Sequence, residues 1–150
     1  MIRGIHFSVP NEYGFILNGI LRTISAEKYE WSLWQDIIES GLSSDRFKTI
    51  TWLPGEQLID ITSHEPKYYP LYVYWIAFNH IEQQEDTKGF NSYQQFLNSN
   101  AVMFLEIFNV IDVYFYSKDV VSIENMRAYA ENKRFEDVEL ITDENDCFWV

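Results

Sequence analysis

The sequence predicts an α+β fold in which helices pack on a mixed β-sheet, and three observations support this prediction. Residues 101–109 and 110–117 are rich in β-branched and aromatic side chains on both alternating faces, which is typical of central strands. Residues 122–132 change to a helical period, and residues 135–142 return to strand composition. We therefore expect a C-terminal β-α-β unit in which residues 110–117 and 138–142 form a parallel pair.

The first elements are predicted as a strand over residues 2–9 and a helix over residues 11–23, which Pro10 can precede. The apolar side chains of this helix share one face: Tyr13, Ile16, Leu17, Ile20, Leu21 and Ile24. Gly14 and Gly19 weaken the helix, which indicates either a frayed end or a close approach to a neighbouring element.

The next segment has two interpretations. Residues 28–34 alternate like a strand with one buried face. Trp31, Trp34, Ile37 and Ile38 also fit a short helix that ends at Gly41, so both strand and helix stay open for residues 31–40.

The Pro54-Gly55 pair predicts a β-hairpin. Proline suits the second position of a type II turn and glycine suits the third. The flanking residues 47–53 and 57–62 would be the two strands.

Residues 69–79 predict a strand that is covered on both faces. One face carries Tyr72, Tyr74, Ile76 and Phe78, and the other carries Leu71, Val73, Trp75 and Ala77. Residues 82–89 have the composition of an exposed loop, and residues 92–97 predict a short helix.

Composition indicates one domain over residues 1–150, because a chain with 47% hydrophobic residues can bury a substantial core. Lys and Arg total 11 against 23 Asp and Glu, which gives a formal net charge of -12. Such a field repels phosphate backbones and anionic lipid surfaces, so we expect no nucleic acid and no membrane as partners. A basic protein is the partner that this charge favours.

The lone cysteine, Cys147, cannot form an internal disulfide, and Arg3 and His6 interrupt the early apolar run that a signal peptide would need. The apolar stretches at residues 69–78 and 101–116 are too short or too polar to cross a membrane. We therefore expect a soluble, cytoplasmic protein.

Several phrases of the sequence resemble a family of small uncharacterised proteins from Bacillus-type bacteria. These phrases are RGIHF at residues 3–7, VPNEYG at 9–14, YEW at 29–31, DVYFYSKD at 112–119 and ITDEND at 141–146. The family is a domain of unknown function, so the resemblance implies a soluble bacterial α+β domain and transfers no site residue.

The acidic segment at residues 143–146 has the oxygen-rich composition of a calcium loop. It lacks the glycine and the distant bidentate glutamate that an EF-hand requires. We therefore interpret Asp143, Glu144 and Asp146 as a solvated strand end, and we expect no metal site.

The remaining reactive residues form no recognised signature. His6, His64 and His80 occur in no HExxH or HxH arrangement, although His64 adjoins Glu65 and His80 lies near Glu82. Acidic neighbours disfavour a thiolate at the cysteine, and GxSxG, GxGxxG and GxxxxGK[ST] sequences are absent. The sequence thus predicts no catalytic residue and no cofactor.

Aromatic side chains are the one feature that points to function. Tyrosines cluster at residues 68–74, next to Trp75, and protein interfaces favour these large, rigid side chains. A buried core with hydroxyl groups at its edge is the favoured explanation, because central strands of a covered sheet need large side chains. The candidate interaction surface consists of Tyr68, Tyr69, Tyr72, Tyr74, Asp143, Glu144 and Asp146.

Three functions follow from these observations. The first is a non-enzymatic, acidic, cytoplasmic interaction domain, regulatory or of an immunity type that neutralises a basic toxin. The second is a small-ligand-binding or metal-assisted enzyme whose site combines His64, Glu65 and the acidic segment. The third is a structural homodimer with a self-complementary aromatic strand surface.

Overall fold

A seven-stranded β-sheet is the centre of the fold, in a computed structural model that describes residues 1–40, 50–79 and 88–146. The strands are β1 Ile2–Ser8, β2 Glu30–Ser40, β3 Trp52–Pro54, β4 Tyr68–Phe78, β5 Ala101–Phe108, β6 Asp112–Ser117 and β7 Glu136–Thr142. They lie in the order β3-β2-β4-β5-β6-β1-β7, and each pair of hydrogen-bonded neighbours is antiparallel. Between the strands lie α1 Ile16–Thr23, a 3-10 helix at Ala26–Lys28, α2 Gly55–Ser63, α3 Tyr93–Asn98 and α4 Val120–Asn132.

The α+β class is confirmed, but the sheet is antiparallel where a mixed sheet was predicted. Strands β6 and β7 do run parallel to each other, as a β-α-β unit requires. The N-terminal strand β1 lies between them, however, and pairs antiparallel with both. The predicted hydrogen-bonded parallel pair is therefore wrong, because a crossover helix can span one intervening strand and local sequence does not reveal which strand fills the gap.

Helices α1, α2 and α4 cover one face of the sheet. The predicted faces of α1 and α4 are confirmed. Leu17, Ile20 and Leu21 of α1 are fully buried, as is Met126 of α4, and Ile123 of α4 is nearly so. The two predicted faces of β4 are also confirmed. Val73, Trp75 and Ala77 join the helix-covered core, whereas Tyr74, Ile76 and Phe78 join a second cluster on the other face.

The second face is only partly covered. Helix α3 is predicted by the sequence, and the Ser92 hydroxyl caps its start by accepting a hydrogen bond from the amide of Gln95. The helix packs Phe96 against this second face. Phe96 contacts Phe104 edge-on with ring centroids 4.8 Å apart. The part of this face that α3 does not cover carries half-exposed aromatic side chains of the central strands. The candidate site lies in this uncovered part.

Helix α1 begins at Ile16, five residues later than predicted. Gly14 exchanges two backbone hydrogen bonds with Tyr68, at 3.1 and 3.0 Å. Because this bridge pairs the backbone at Gly14 with the start of β4, the residues before Ile16 do not join the helix. Tyr13 is consequently 49% exposed.

Residues 31–40 form a strand, which resolves the ambiguity of that segment. The pairing of β2 with β4 shifts between Leu33 and Gln35. A bulge of this kind breaks the strict alternation of side chains, so Trp34 and Ile37 are exposed and the sequence imitates a helical period.

The predicted hairpin at Pro54-Gly55 is wrong. Strand β3 leads directly into α2, whose buried face includes Leu58 and Thr62. The amide of Gly55 donates to the carbonyl of Tyr29 at 2.9 Å, and a Cβ atom at this position would overlap the carbonyl of Ala26. Glycine here permits a close approach of α2 to the 3-10 helix, and the local Pro-Gly signal does not distinguish this arrangement from a hairpin turn.

Two further predictions concern residues that the structure does not describe. These are the loop at residues 82–87 and the start of the predicted strand at residues 47–49. Within the described ranges, no helix is both long and apolar enough to cross a membrane.

Candidate functional site

One acidic side chain, Glu106, lies in the middle of the aromatic face. Alternation along β5 places Phe104, Glu106 and Phe108 on the same side of the sheet. Directly opposite Glu106 stand Tyr74 of β4 and Tyr114 of β6. Glu106 is only 6% exposed, which is unusual for a carboxylate.

Aromatic rings enclose this carboxylate along its own strand and on both neighbouring strands. The enclosing residues are Tyr72, Tyr74, Phe104, Phe108, Tyr114 and Tyr116, and together with Glu106 they are called the Glu106 site. On one side the Phe108 ring lies 5.5 Å from Tyr72 and 5.8 Å from Tyr114, measured between centroids. On the other side the Phe104 ring lies 5.7 Å from Tyr74 and 4.7 Å from Tyr116.

The Glu106 site is closed on one half and open on the other. Tyr74, Phe104 and Tyr116 are buried beneath α3 and the segment that precedes it, and the Tyr74 hydroxyl accepts a 2.8 Å hydrogen bond from the amide of Phe90. Tyr72, Phe108 and Tyr114 are half-buried. A ligand would therefore reach Glu106 from the Tyr72, Phe108 and Tyr114 side.

Glu106 forms no hydrogen bond and no ion pair within the described part of the chain. No described side-chain oxygen is both sealed from solvent and without a partner, so its carboxylate keeps contact with solvent through the open half. Burial raises the pKa of Glu106 to about 7, because removal from water disfavours the charged form and no cation among the described residues compensates. A carboxylate in this condition gains from any cation that reaches it.

Glu106 also belongs to a polar row that crosses the sheet. The register places Glu106 opposite Tyr114, Tyr114 opposite His6, and His6 opposite Glu139 on the edge strand β7. The His6 ring lies 4.5 Å from the Tyr114 ring, and its Nε2 atom is 3.3 Å from Oδ1 of Asp112. The row therefore places an imidazole and further carboxylates next to the Glu106 site.

Of the four tyrosines predicted for the interaction surface, the structure brings two into the Glu106 site, namely Tyr72 and Tyr74. Tyr68 is fully buried on the helix-covered side and donates its hydroxyl to the carbonyl of Thr62 at 2.9 Å. Tyr69 stacks on Tyr13, with ring centroids 4.9 Å apart. Tyr72 alone of the four is both in the site and half-exposed.

The predicted acidic segment is not a uniformly solvated strand end. Arg3 of β1 binds Oδ1 of Asp143 at 2.9 Å and Oδ2 of Asp146 at 3.2 Å. Asp146 also accepts a 3.0 Å hydrogen bond from the Tyr116 hydroxyl, and its side chain is 1% exposed. Hydrogen bonding to Arg3 lowers the pKa of Asp143. Two of the three acids therefore attach the chain to β1, while Glu144 remains exposed.

His64 and Glu65 are not brought together with the acidic segment. The exposed His64 ring lies at the end of α2, with its Nδ1 atom 2.7 Å from the carbonyl oxygen of Asp60. The acidic segment instead contacts Arg3 and the N-terminus. His80, Glu82 and Cys147 lie outside the described residues, and the described ranges contain no group of three metal-ligating side chains.

Sequence reasoning did not select Glu106, although a signal was present. A single carboxylate interrupts the apolar strand Ala101–Phe108 at a position that shares its face with two phenylalanines. Because this strand is predicted to be covered on both faces, a charge on either face would be buried, and burying a charge is costly.

The fold and the site define a small α+β protein with a half-open aromatic site around one buried acid. The chain belongs to the family described as "Protein of unknown function (DUF2691)", whose model matches residues 2–148. It is similar to "Uncharacterized protein YncE" of Bacillus subtilis (strain 168), with 29% identity over 153 residues, 97% of this chain and 95% of that relative. No solved structure matches the chain. The predicted family resemblance is thereby confirmed.

Proposed function

We propose that the protein is a non-enzymatic, acidic interaction domain that binds a basic protein, and that the Glu106 site receives a lysine or arginine side chain of this partner. The observation that carries the proposal is a carboxylate only 6% exposed, without a described partner, and enclosed by aromatic rings. The partner role would be regulatory, or of an immunity type that neutralises a basic toxin.

A cationic side chain fits the chemistry of this site for two reasons. The faces of tyrosine and phenylalanine rings attract a cation, by about 0.5–2 kcal/mol each according to exposure. An ion pair with Glu106 would also offset the cost of burying the ionised carboxylate, because charge-assisted hydrogen bonds are strongest where water is excluded. A neutral or anionic side chain would provide neither effect.

Net charge supports the same partner. A formal charge of -12 produces a negative field that speeds the approach of a basic protein, chiefly at low ionic strength. The outer strand β7 contributes Glu136, Asp137 and Glu139, none of which forms an ion pair within the described residues. Long-range steering and the local Glu106 site would thus favour one class of protein.

A cytoplasmic location is part of the proposal, because the single Cys147 does not require an oxidising compartment. Such a location would also place the domain among intracellular basic proteins.

Capture from a bacterial extract tests this proposal when matched variants are compared. Wild type, Glu106→Gln and Glu124→Gln would be immobilised, loaded at low salt and eluted with a salt step. Glu124 is exposed on α4, on the other side of the sheet, so its variant has the same change in net charge without altering the site. We expect a basic protein to bind wild type and Glu124→Gln and to be lost from Glu106→Gln. Equal binding by all three would contradict the role of Glu106, and recovery of nothing basic would contradict the function.

A second candidate function is acid–base catalysis on a small molecule, which the polar row favours. A carboxyl whose pKa is about 7 is suited to proton transfer near neutral pH, and His6 with Asp112 lies in or beside the same row. His6→Asn distinguishes the two functions. If the site only binds a cation, this change should leave partner capture intact. If the row is catalytic, it should abolish the acid–base reaction on the small-molecule substrate.

The homodimer is the least favoured alternative at neutral pH. Two copies that meet through this face would bring two partly ionised carboxylates together, and like charges in an interface oppose association. Sedimentation of the isolated chain at pH 8 is expected to give a monomer.

A further inference from the structure

We propose that a second site, on the helix-covered side of the sheet, binds a small amphipathic anion in the cavity between α1, α4 and residues 9–16. The anionic head group would contact Arg22 and Lys133, and the apolar body would lie against Phe15, Ile16 and Phe135. This cavity is separate from the Glu106 site and does not depend on the function proposed for it.

The cavity has the size and lining of a small-molecule site. Its volume is about 600 Å³, within the range of roughly 300–1,000 Å³ that ligand pockets occupy. Val9, Pro10, Phe15, Ile16 and Phe135 supply much of its wall, so an apolar ligand surface would be removed from water there. Its polar and charged side chains are Glu12, Asn18, Arg22, Thr23, Tyr129 and Lys133.

Two cations line this cavity, one from each helix. Arg22 is in the last turn of α1, and Lys133 is the residue that caps the end of α4. Each position suits a cation, since it is near the negative end of a helix dipole. Neither side chain forms an ion pair within the described part of the chain, although acids outnumber bases by 23 to 11 overall.

The geometry of Arg22 leaves it available to a ligand. Its Nε atom donates to Oδ1 of Asn18 at 2.9 Å, which orients the guanidinium group. The two terminal nitrogens form no hydrogen bond to described residues. A guanidinium fork of this kind matches the paired oxygens of a carboxylate or phosphate.

A third donor comes from the contact between the two helices. Gly19 of α1 lies so close to Tyr129 of α4 that a Cβ atom would overlap the tyrosine hydroxyl, and this is the close approach that one interpretation of the glycine predicts. The hydroxyl lines the cavity and has no hydrogen-bond partner among described residues. Burial raises the pKa of Tyr129, so the hydroxyl stays protonated and can donate to an anion.

The overall negative charge does not prevent anion binding at this position. Charges farther away than about 8 Å are largely screened at physiological ionic strength, so the nearest groups dominate. Glu12 is the acid among the described lining residues, and the two cations outnumber it. The head group is therefore expected beside the two cations rather than beside Glu12.

Calorimetric titration with simple probes tests the site in the full chain. Octanoate and octyl phosphate carry both a head group and an apolar body, octanol lacks the charge, and acetate lacks the body. We expect both octyl anions to bind. Octanol should bind at least about tenfold more weakly, since a charge-assisted contact contributes about 1.5–3 kcal/mol, and acetate should also bind at least about tenfold more weakly, since it buries almost no apolar surface. Chemical shifts of the Gly19 and Lys133 amides should change with octanoate. Absence of octanoate binding, or equal binding of octanol, would overturn the proposal.

A pair of charge variants locates the head group. The double variant Arg22→Gln/Lys133→Gln should weaken octanoate binding by about tenfold or more. Lys28→Gln/Lys67→Gln changes the net charge equally at two exposed positions that do not line the cavity, and it should stay within about twofold of wild type. An equal loss in both double variants would show a general charge effect and overturn the assignment.

Discussion

Replacing Glu106 by glutamine should stabilise the protein, and the gain should grow with pH. The pKa of the Glu106 carboxyl is about 7 in the folded chain, against an ordinary value of 4.5. Because the folded pKa is raised, the folded state holds the proton more tightly than the unfolded state, and stability falls as pH rises from 4.5 to 7. Above pH 7 the cost of the ionised carboxylate is constant at about 3 kcal/mol.

Glutamine has nearly the same shape and carries no charge at any pH, so the variant escapes this cost. We expect Glu106→Gln to exceed wild type by about 3 kcal/mol at pH 8 but by only about 1 kcal/mol at pH 5. Any fixed penalty for the buried amide cancels in the comparison between the two pH values.

Urea unfolding followed by tryptophan fluorescence measures this difference, because urea leaves electrostatic interactions unscreened. The control Glu124→Gln removes an exposed charge, and its effect should differ by no more than about 0.5 kcal/mol between the two pH values. If the advantage of Glu106→Gln were the same at pH 5 and pH 8, the carboxylate would not be destabilised by burial and the reasoning would be refuted.

Three further predictions concern the scaffold. Ile20→Ala should lower the free energy of unfolding by about 2–5 kcal/mol, since Ile20 is fully buried; an unchanged urea midpoint would contradict its place in the core. Gly55→Ala should destabilise by about 1–3 kcal/mol through overlap with the 3-10 helix, whereas Gly14→Ala, with open space around it, should change stability by less than about 1 kcal/mol in the same assay. Arg3→Ala should speed hydrogen exchange at the amides of residues 142–144, and unchanged exchange would show that the acidic segment is held without Arg3.

Periodicity predicted the parts of the fold that depend on one element at a time. The alternation of β4 separated its two faces correctly, and the apolar faces of α1 and α4 were found because helical spacing is visible within a few turns. Features that depend on a second element were missed. The sequence around Gly55 predicts a turn, because the Ala26 carbonyl that requires glycine there is close in space but distant in sequence.

The same distinction applies to the candidate site. Composition identified Tyr72 and Tyr74 as candidates, but the acid at the centre is on a different strand. Glu106 can be recognised as the centre of the site only when β5 is known to lie between β4 and β6. That placement depends on strand order and register, which local sequence does not show. The sequence likewise predicts a solvated Asp146, because its partner Arg3 is 143 residues away along the chain.

Carbon-13 NMR of the Glu106 side-chain carboxyl tests the central claim most directly. Titration of the free protein should give a pKa of about 7, and saturation with a short lysine- and arginine-rich peptide should lower that pKa, because a bound cation stabilises the charged form. The resonance would be assigned by comparison with Glu106→Gln. A pKa near the ordinary 4.5 in the free protein, or a raised pKa that the peptide leaves unchanged, would contradict the account of Glu106 as a buried carboxylate that receives a cation.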